Sequence, residues 1–291
     1  MKFDMNAAWN DAMALIRGNR EVLAVVAGVF ILLPGLAMAV LFADQQAQAM
    51  GTLRSMLTAG PGLVPRAAAQ PAPGWFYVVA VAMFVIEIVG YLSLLALLDS
   101  RQRPTVGEAI LTALRCLLPM IGAILLFVVG YSVIGVALSL VAGLLVAGAA
   151  AASGSAGATA GLGFIFIIVL LAVIFWVMVR FSLTIADIVL GRTLNPVRAL
   201  IQSWRMTKGN GGRLFGFYLL LFIAYLVITI VLFGVLYAVG AALPGQTGGL
   251  VLGIASGVIA AVFAVLVSAL VAAIYRQLAG PNASDLSGTF E

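Results

Sequence analysis

Residues 118–150 run for 33 apolar positions without one charged side chain. A helix rises about 1.5 Å per residue, so this run would reach about 50 Å, against roughly 30 Å for the hydrocarbon core of a bilayer. Such a run predicts a helix that crosses a membrane and tilts or projects beyond it. The other long apolar runs, 22–43, 75–98, 162–184, 214–241 and 250–275, each suffice for one span. Composition agrees. The 291 residues are 64% hydrophobic and 9% charged, whereas a soluble domain is about 25% charged and needs that charge to cover its surface. The expectation is an all-α polytopic membrane protein with six transmembrane helices, built as one membrane domain over 1–279. A polar cytoplasmic tail at 280–291 is expected to be disordered.

Three short amphipathic segments, each expected to be a surface helix, precede the span pairs. In the first, within residues 1–20, Trp9, Ala12, Met13 and Ile16 share one helical face, and Gly18-Asn19 is a stop signal. The second opens at Thr105-Val-Gly-Glu108, a capping box, with Val106, Ile110, Ala113, Leu114 and Leu117 at helical spacing. The third opens at Asn195-Pro196, an N-cap followed by proline at the first helical position. Its predicted apolar face is Val197, Leu200, Ile201 and Trp204, and Gly209-Asn210-Gly211-Gly212 ends it. Residues 150–163, rich in alanine, glycine and serine, suit a loop or a loose helix end, and 243–249 suit a tight turn. Pro34-Gly35 predicts a kink in the first span. Pro61, Pro65, Pro71 and Pro73 predict an exposed loop over 44–74, closed by the interfacial aromatics Trp75, Phe76 and Tyr77.

Each short helix is followed by two spans, which gives approximate repeats at 1–100, 101–191 and 192–279. Leu15-Ile-Arg17-Gly18-Asn19 aligns with Met206-Thr-Lys208-Gly209-Asn210, and Ala109–Arg115 aligns with Ala199–Arg205. Six spans put both termini on one side. Thirteen basic residues then share that side and only Arg54 and Arg66 lie opposite, so the positive-inside rule makes both termini cytoplasmic. The net charge of +5 is dispersed at span ends rather than gathered on a soluble face, which argues against nucleic acid as a partner.

The chain has no histidine and one cysteine, Cys116, which removes the commonest general base, the commonest metal ligand and any internal disulfide. No metal, cofactor or catalytic grouping is expected. Glu87, about mid-span, is the sharpest candidate, because an ionisable group at that depth costs roughly 2.5–3.5 kcal/mol. Two readings stand side by side: a proton- or cation-carrying carboxylate, or a structural pair with Arg180, about one turn nearer the cytoplasm. Arg198, Arg205, Lys208 and Arg213 either bind lipid headgroups or only signal topology. Gly135, Ser139 and Gly143 in one span, and Gly253 and Gly257 in another, form small-residue stripes suited to close helix packing, within the bundle or between protomers.

At Ala199-Leu-Ile-Gln-Ser-Trp204-Arg-Met-Thr-Lys-Gly209-Asn210 the chain resembles the bacterial integral-membrane domain named for glycerophosphoryl diester phosphodiesterases, together with related uncharacterised inner-membrane proteins. Ala8-Trp9-Asn-Asp-Ala and Ala273-Ile-Tyr275-Arg276-Gln-Leu278 fit the same resemblance. It implies a multi-helix inner-membrane domain and does not carry over the phosphodiesterase chemistry, which in that family belongs to a separate soluble domain with catalytic histidine and metal-binding carboxylates. The expected function is therefore a non-enzymatic membrane module of the cell envelope. Its partners would be membrane lipids, with a second envelope protein or a homo-oligomer also compatible. A small ion-coupled transporter using Glu87 is the alternative.

Overall fold

The computed structural model describes residues 2–42, 73–99, 104–153, 156–242 and 247–279. Expectations for the 44–72 loop, Arg54, Arg66, Arg101, Arg103, the turn at 243–246 and the 280–291 tail lie outside them. Among the described residues the regular structure is entirely helical: α1 (Met5–Ala27), a π-helical turn (Gly28–Leu32), α2 (Leu33–Leu41), α3 (Gly74–Leu97), α4 (Val106–Ser153), α5 (Ala156–Phe181), α6 (Thr184–Val189), α7 (Pro196–Met206), α8 (Gly211–Ala242) and α9 (Thr247–Ala279). Six helical stretches in them are long and apolar enough to cross a membrane: Met5–Leu41, Gly74–Leu97, Val106–Ala152, Ala160–Val189, Gly211–Leu236 and Gly253–Ala279.

Where helices start follows the capping chemistry. The Asn195 side chain accepts from the Val197 and Arg198 amides at 3.0 and 3.2 Å. The Thr105 amide donates to Glu108 at 2.8 Å, and the Glu108 amide donates back to the Thr105 hydroxyl at 3.4 Å. Asp4 does the same work for α1, accepting from the Ala7 amide at 3.0 Å. Three residues after each capped start, orphan amides are thus satisfied by a side chain. The residues that follow in register, Ala8, Ala109 and Ala199, and then Ala12, Ala113 and Ser203, are all fully buried.

The structure departs from expectation where helices were meant to stop. Residues 106–117 and 118–150 form one 48-residue helix with Pro119 inside it, not a surface helix and a separate span. The other two short helices run into Gly18-Asn19 and Gly209-Asn210, whereas the aligned position here holds Pro119-Met120. Proline removes one backbone bond but supplies no left-handed C-cap. Gly209, by contrast, takes φ +85° in the turn that follows the end of α7 at Met206. At Asn19 the helix is kinked (φ −130°, ψ 16°) rather than ended. Residues 150–153 and 156–163 are helical rather than loop, consistent with the high helix propensity of their alanines.

The chain divides into two compact units. One holds the described residues of Ala12–Ala113 and Ile223–Ala269. At its centre the Pro34 ring, which would crowd the carbonyl four residues back, is accommodated by the π turn. The Leu33 amide reaches back to the Gly28 carbonyl. Two glycines let neighbouring helices close on this turn. A Cβ on Gly90 would lie 2.6 Å from Phe30 Cβ, and one on Gly257 would lie 2.7 Å from Leu32 Cδ1. A Cβ on Gly253 would meet Ala39 Cβ at 3.0 Å. Phe42 stacks on Trp75 at 5.5 Å and meets Phe76 edge-on at 4.5 Å, so side chains close the α2–α3 hairpin.

The other unit holds the described residues of Met1–Asp11, Leu114–Phe222 and Leu270–Glu291. The Phe3 amide donates to Asn210 Oδ1 at 2.9 Å, and the Phe3 ring meets Phe217 edge-on at 5.6 Å. Pro196 sits over Gly122, where a Cβ would approach its ring to 3.3 Å. The Cys116 thiol is buried and lies 3.7 Å from the Ile188 carbonyl, so it packs as a small apolar residue.

Candidate functional site

α7 meets the protein through a side that its apolar pattern does not single out. Ala199, Ser203 and Thr207 are fully buried, at i, i+4 and i+8, while Val197, Ile201 and Trp204 stand 42–50% exposed. Small side chains let the helix lie close, and two of them bond to its support. Ser203 Oγ donates to the Arg180 carbonyl at 2.9 Å, and the Thr207 hydroxyl donates to the Ser203 carbonyl at 2.9 Å. The expected apolar face is therefore an outer face, suited to lipid rather than to the core. Arg198 and Arg205 occupy a third side and are exposed, as is Lys208 just beyond. Among the described residues none of these three side chains has an intramolecular partner.

Arg180 is held inside the fold, whereas Arg213 is exposed. The Arg180 guanidinium lies between two indoles, 5.2 Å from the Trp176 centroid and 4.9 Å from that of Trp204, and its Nη1 reaches the Thr207 hydroxyl at 3.4 Å. Its Nε is buried without a hydrogen-bond partner. Gly211 makes room for the stack, since a Cβ there would meet Trp176 at 3.0 Å and the guanidinium carbon at 3.3 Å. Arg213 Nη1 lies 3.5 Å from the Phe3 carbonyl. A flat guanidinium fits between two rings and an ammonium does not. Arg180→Lys is accordingly expected to lower the denaturation midpoint in detergent, with a loss of about 1–2 kcal/mol from two cation–π contacts. Its tryptophan fluorescence should shift in parallel; an unchanged midpoint and spectrum would show the stack to be idle.

Glu87 belongs to the first unit, half-buried on α3. Tyr91, one turn on, lies within electrostatic reach of both Glu87 and Tyr225, and the Tyr225 ring packs on Phe263 at 4.1 Å. The two glycine stripes differ. Gly253 and Gly257 are spent on packing within their unit, whereas a Cβ on Gly135 or Gly143 would meet nothing within 4 Å, and Ser139 is exposed.

One polar centre was not singled out by sequence reasoning. Asp187, at the end of the fourth span, is completely buried. Its Oδ1 accepts from the Tyr275 hydroxyl at 3.2 Å, while Oδ2 has no partner. The loop after α6 folds tightly back on it: the Leu190 and Gly191 amides bond the Ala186 carbonyl, and the Thr193 amide bonds the Asp187 carbonyl at 3.2 Å. Arg192 adopts φ +54°, an uncommon and strained choice for a side-chain-bearing residue. The available signal was the charge itself, an acid alone among six basic residues over 180–214. Periodicity carries no information about the tyrosine some 88 positions away that meets it.

Among the described residues no group of three or more histidine, cysteine, aspartate or glutamate side chains could hold a metal ion. No family model, curated protein or solved structure matches the chain.

Proposed function

We propose that this membrane-spanning helical protein is a non-enzymatic module of a bacterial cytoplasmic membrane that binds anionic lipid headgroups on its cytoplasmic surface. The observation that carries the reading is the three-sided use of α7. Its small residues face the protein, Val197, Ile201 and Trp204 face outward, and Arg198 and Arg205 lie beside them. A helix with an exposed apolar stripe flanked by cations lies in the membrane interface, where the stripe enters the acyl boundary and the cations meet phosphate. With the positive-inside orientation, α7 falls on the cytoplasmic leaflet, the more anionic one. The lack of histidine supports a non-enzymatic role. The reading keeps the resemblance to the membrane part of the phosphodiesterase-named family, and the common register of Asp4, Thr105 and Asn195 as caps supports three related units.

Native mass spectrometry of the protein released gently from its own membrane tests this. The full chain is expected to retain an anionic phospholipid at fixed stoichiometry. Each basic residue near the leaflet contributes about 1 kcal/mol, so the Arg198→Gln/Arg205→Gln double variant should hold that lipid roughly 30-fold more weakly. Equal retention by both proteins, or a bare wild type, would overturn the assignment. Ion-coupled transport at Glu87 is the second reading. Its support is the polar company of Tyr91 and Tyr225.

A further inference from the structure

The Asp187 carboxylate poses a problem of charge. It is 0% exposed, yet the groups that meet it are hydroxyls: Tyr275 at 3.2 Å on Oδ1, with Thr193 also interacting with the carboxylate. A buried carboxylate without a counter-charge is costly, and buried charges are therefore paired or bind metal. Two atoms here have unspent bonding capacity. Asp187 Oδ2 and Thr184 Oγ1 are both buried and without a partner. Thr184 and Asp187 are three residues apart on α6, hence on the same face one turn from each other. Thr184 itself is only 5% exposed. Native structures leave few such atoms unsatisfied, so two on one helix face call for a partner, a water or an ion.

The donor set defines what that is. Carboxylate and hydroxyl oxygens are hard ligands, which select hard cations over zinc, copper or iron. The site supplies one negative charge. A divalent ion would leave a net positive charge beside the fully buried Asp187 carboxylate, whereas a monovalent ion leaves none. Gly191 fits the same picture: a Cβ there would fall 2.5 Å from the Tyr275 hydroxyl and 2.8 Å from Asp187 Oδ1, so only glycine lets Tyr275 close on the carboxylate.

We propose that Asp187, with the Thr184 and Tyr275 hydroxyls, binds a dehydrated alkali cation, of the sodium class, which locks the α6 loop to α9. The site is distinct from the lipid-binding face of α7 and does not depend on it.

The test uses the purified full chain in detergent. Binding of radioactive sodium is measured by scintillation proximity, and thermal unfolding is followed in sodium, potassium or choline chloride at constant ionic strength. Saturable sodium binding is expected, together with a melting temperature that rises with sodium but not with choline. Asp187→Asn should weaken the apparent affinity at least tenfold and remove the sodium-dependent rise. Thr184→Val keeps the charge and the helix, and should weaken it several-fold; it decides the matter if the Asp187 variant does not fold. Potassium binding in place of sodium, lost in the same variants, would support the site with a larger ion. Absence of bound alkali cation and identical melting in choline would overturn the proposal. Binding unchanged in the folded variants would overturn it too, by placing the cation elsewhere.

Discussion

Gly191→Ala is expected to destabilise the protein by about 3 kcal/mol or more. The added methyl would sit 2.6 Å from the Asp187 carbonyl oxygen, a backbone atom in a short helix, and 2.5 Å from the Tyr275 hydroxyl. The hydroxyl can swing away; the carbonyl cannot move without carrying α6 with it. Overpacking of this kind typically costs 1–3 kcal/mol. Retreat of Tyr275 would also leave Asp187 Oδ1 short of its donor, at a further cost of about 1–3 kcal/mol for a buried polar atom. A reversible detergent-to-SDS titration reads the change directly. Tyr275→Phe removes the hydrogen bond without the clash, so it should account for the second part alone. A Gly191→Ala protein with the wild-type midpoint would mean that the loop does not close on Asp187 as described.

Gly90→Ala should be nearly as severe, for a reason rooted in the other unit. Its Cβ would meet Phe30 Cβ at 2.6 Å and the Phe30 carbonyl at 3.4 Å. A Cβ is fixed to its backbone, so relief requires moving the π turn, and a loss of about 1–3 kcal/mol is expected. Gly257→Ala meets the tip of Leu32 at 2.7 Å, which can rotate, so it should cost less. Gly135→Ala and Gly143→Ala meet nothing and should leave the midpoint unchanged or slightly raised, because alanine is the better helix former. The ordering Gly90, then Gly257, then the α4 glycines is what an SDS titration would check. Equal losses at all four would show that helix propensity, not contact, governs them.

Much of this architecture is legible in the chain. The spans follow from uncharged length, and the caps at Thr105 and Asn195 follow from side chains that compete for amides three residues on. The stop at Gly209 follows from the left-handed backbone that glycine tolerates. What is hidden has a common cause. In a lipid solvent, apolar character no longer marks the inside, so the Val197, Ile201 and Trp204 face fits a surface helix but says nothing of which residues of α7 meet the protein. The buried face is marked only by smallness, at Ala199 and Ser203, a weaker signal. The boundary expected between 117 and 118 rested on the change from amphipathic to wholly apolar sequence; with no stop residue there, the helix runs on through Pro119. Asp187 and Tyr275 come together across 88 positions, a distance no local pattern spans.

The clasp of Phe42 on Trp75 and Phe76 bears on how the protein can be modified. Because Phe42 meets Trp75 and Phe76, three aromatic rings hold the end of α2 against the start of α3. Closing a loop costs only about 0.6 kcal/mol more for each doubling of its length. Foreign sequence inserted between Phe42 and Trp75 is therefore expected to leave that clasp in place. An epitope, a protease site or a small fluorescent domain placed there would change what the chain carries while leaving the α2–α3 pair intact.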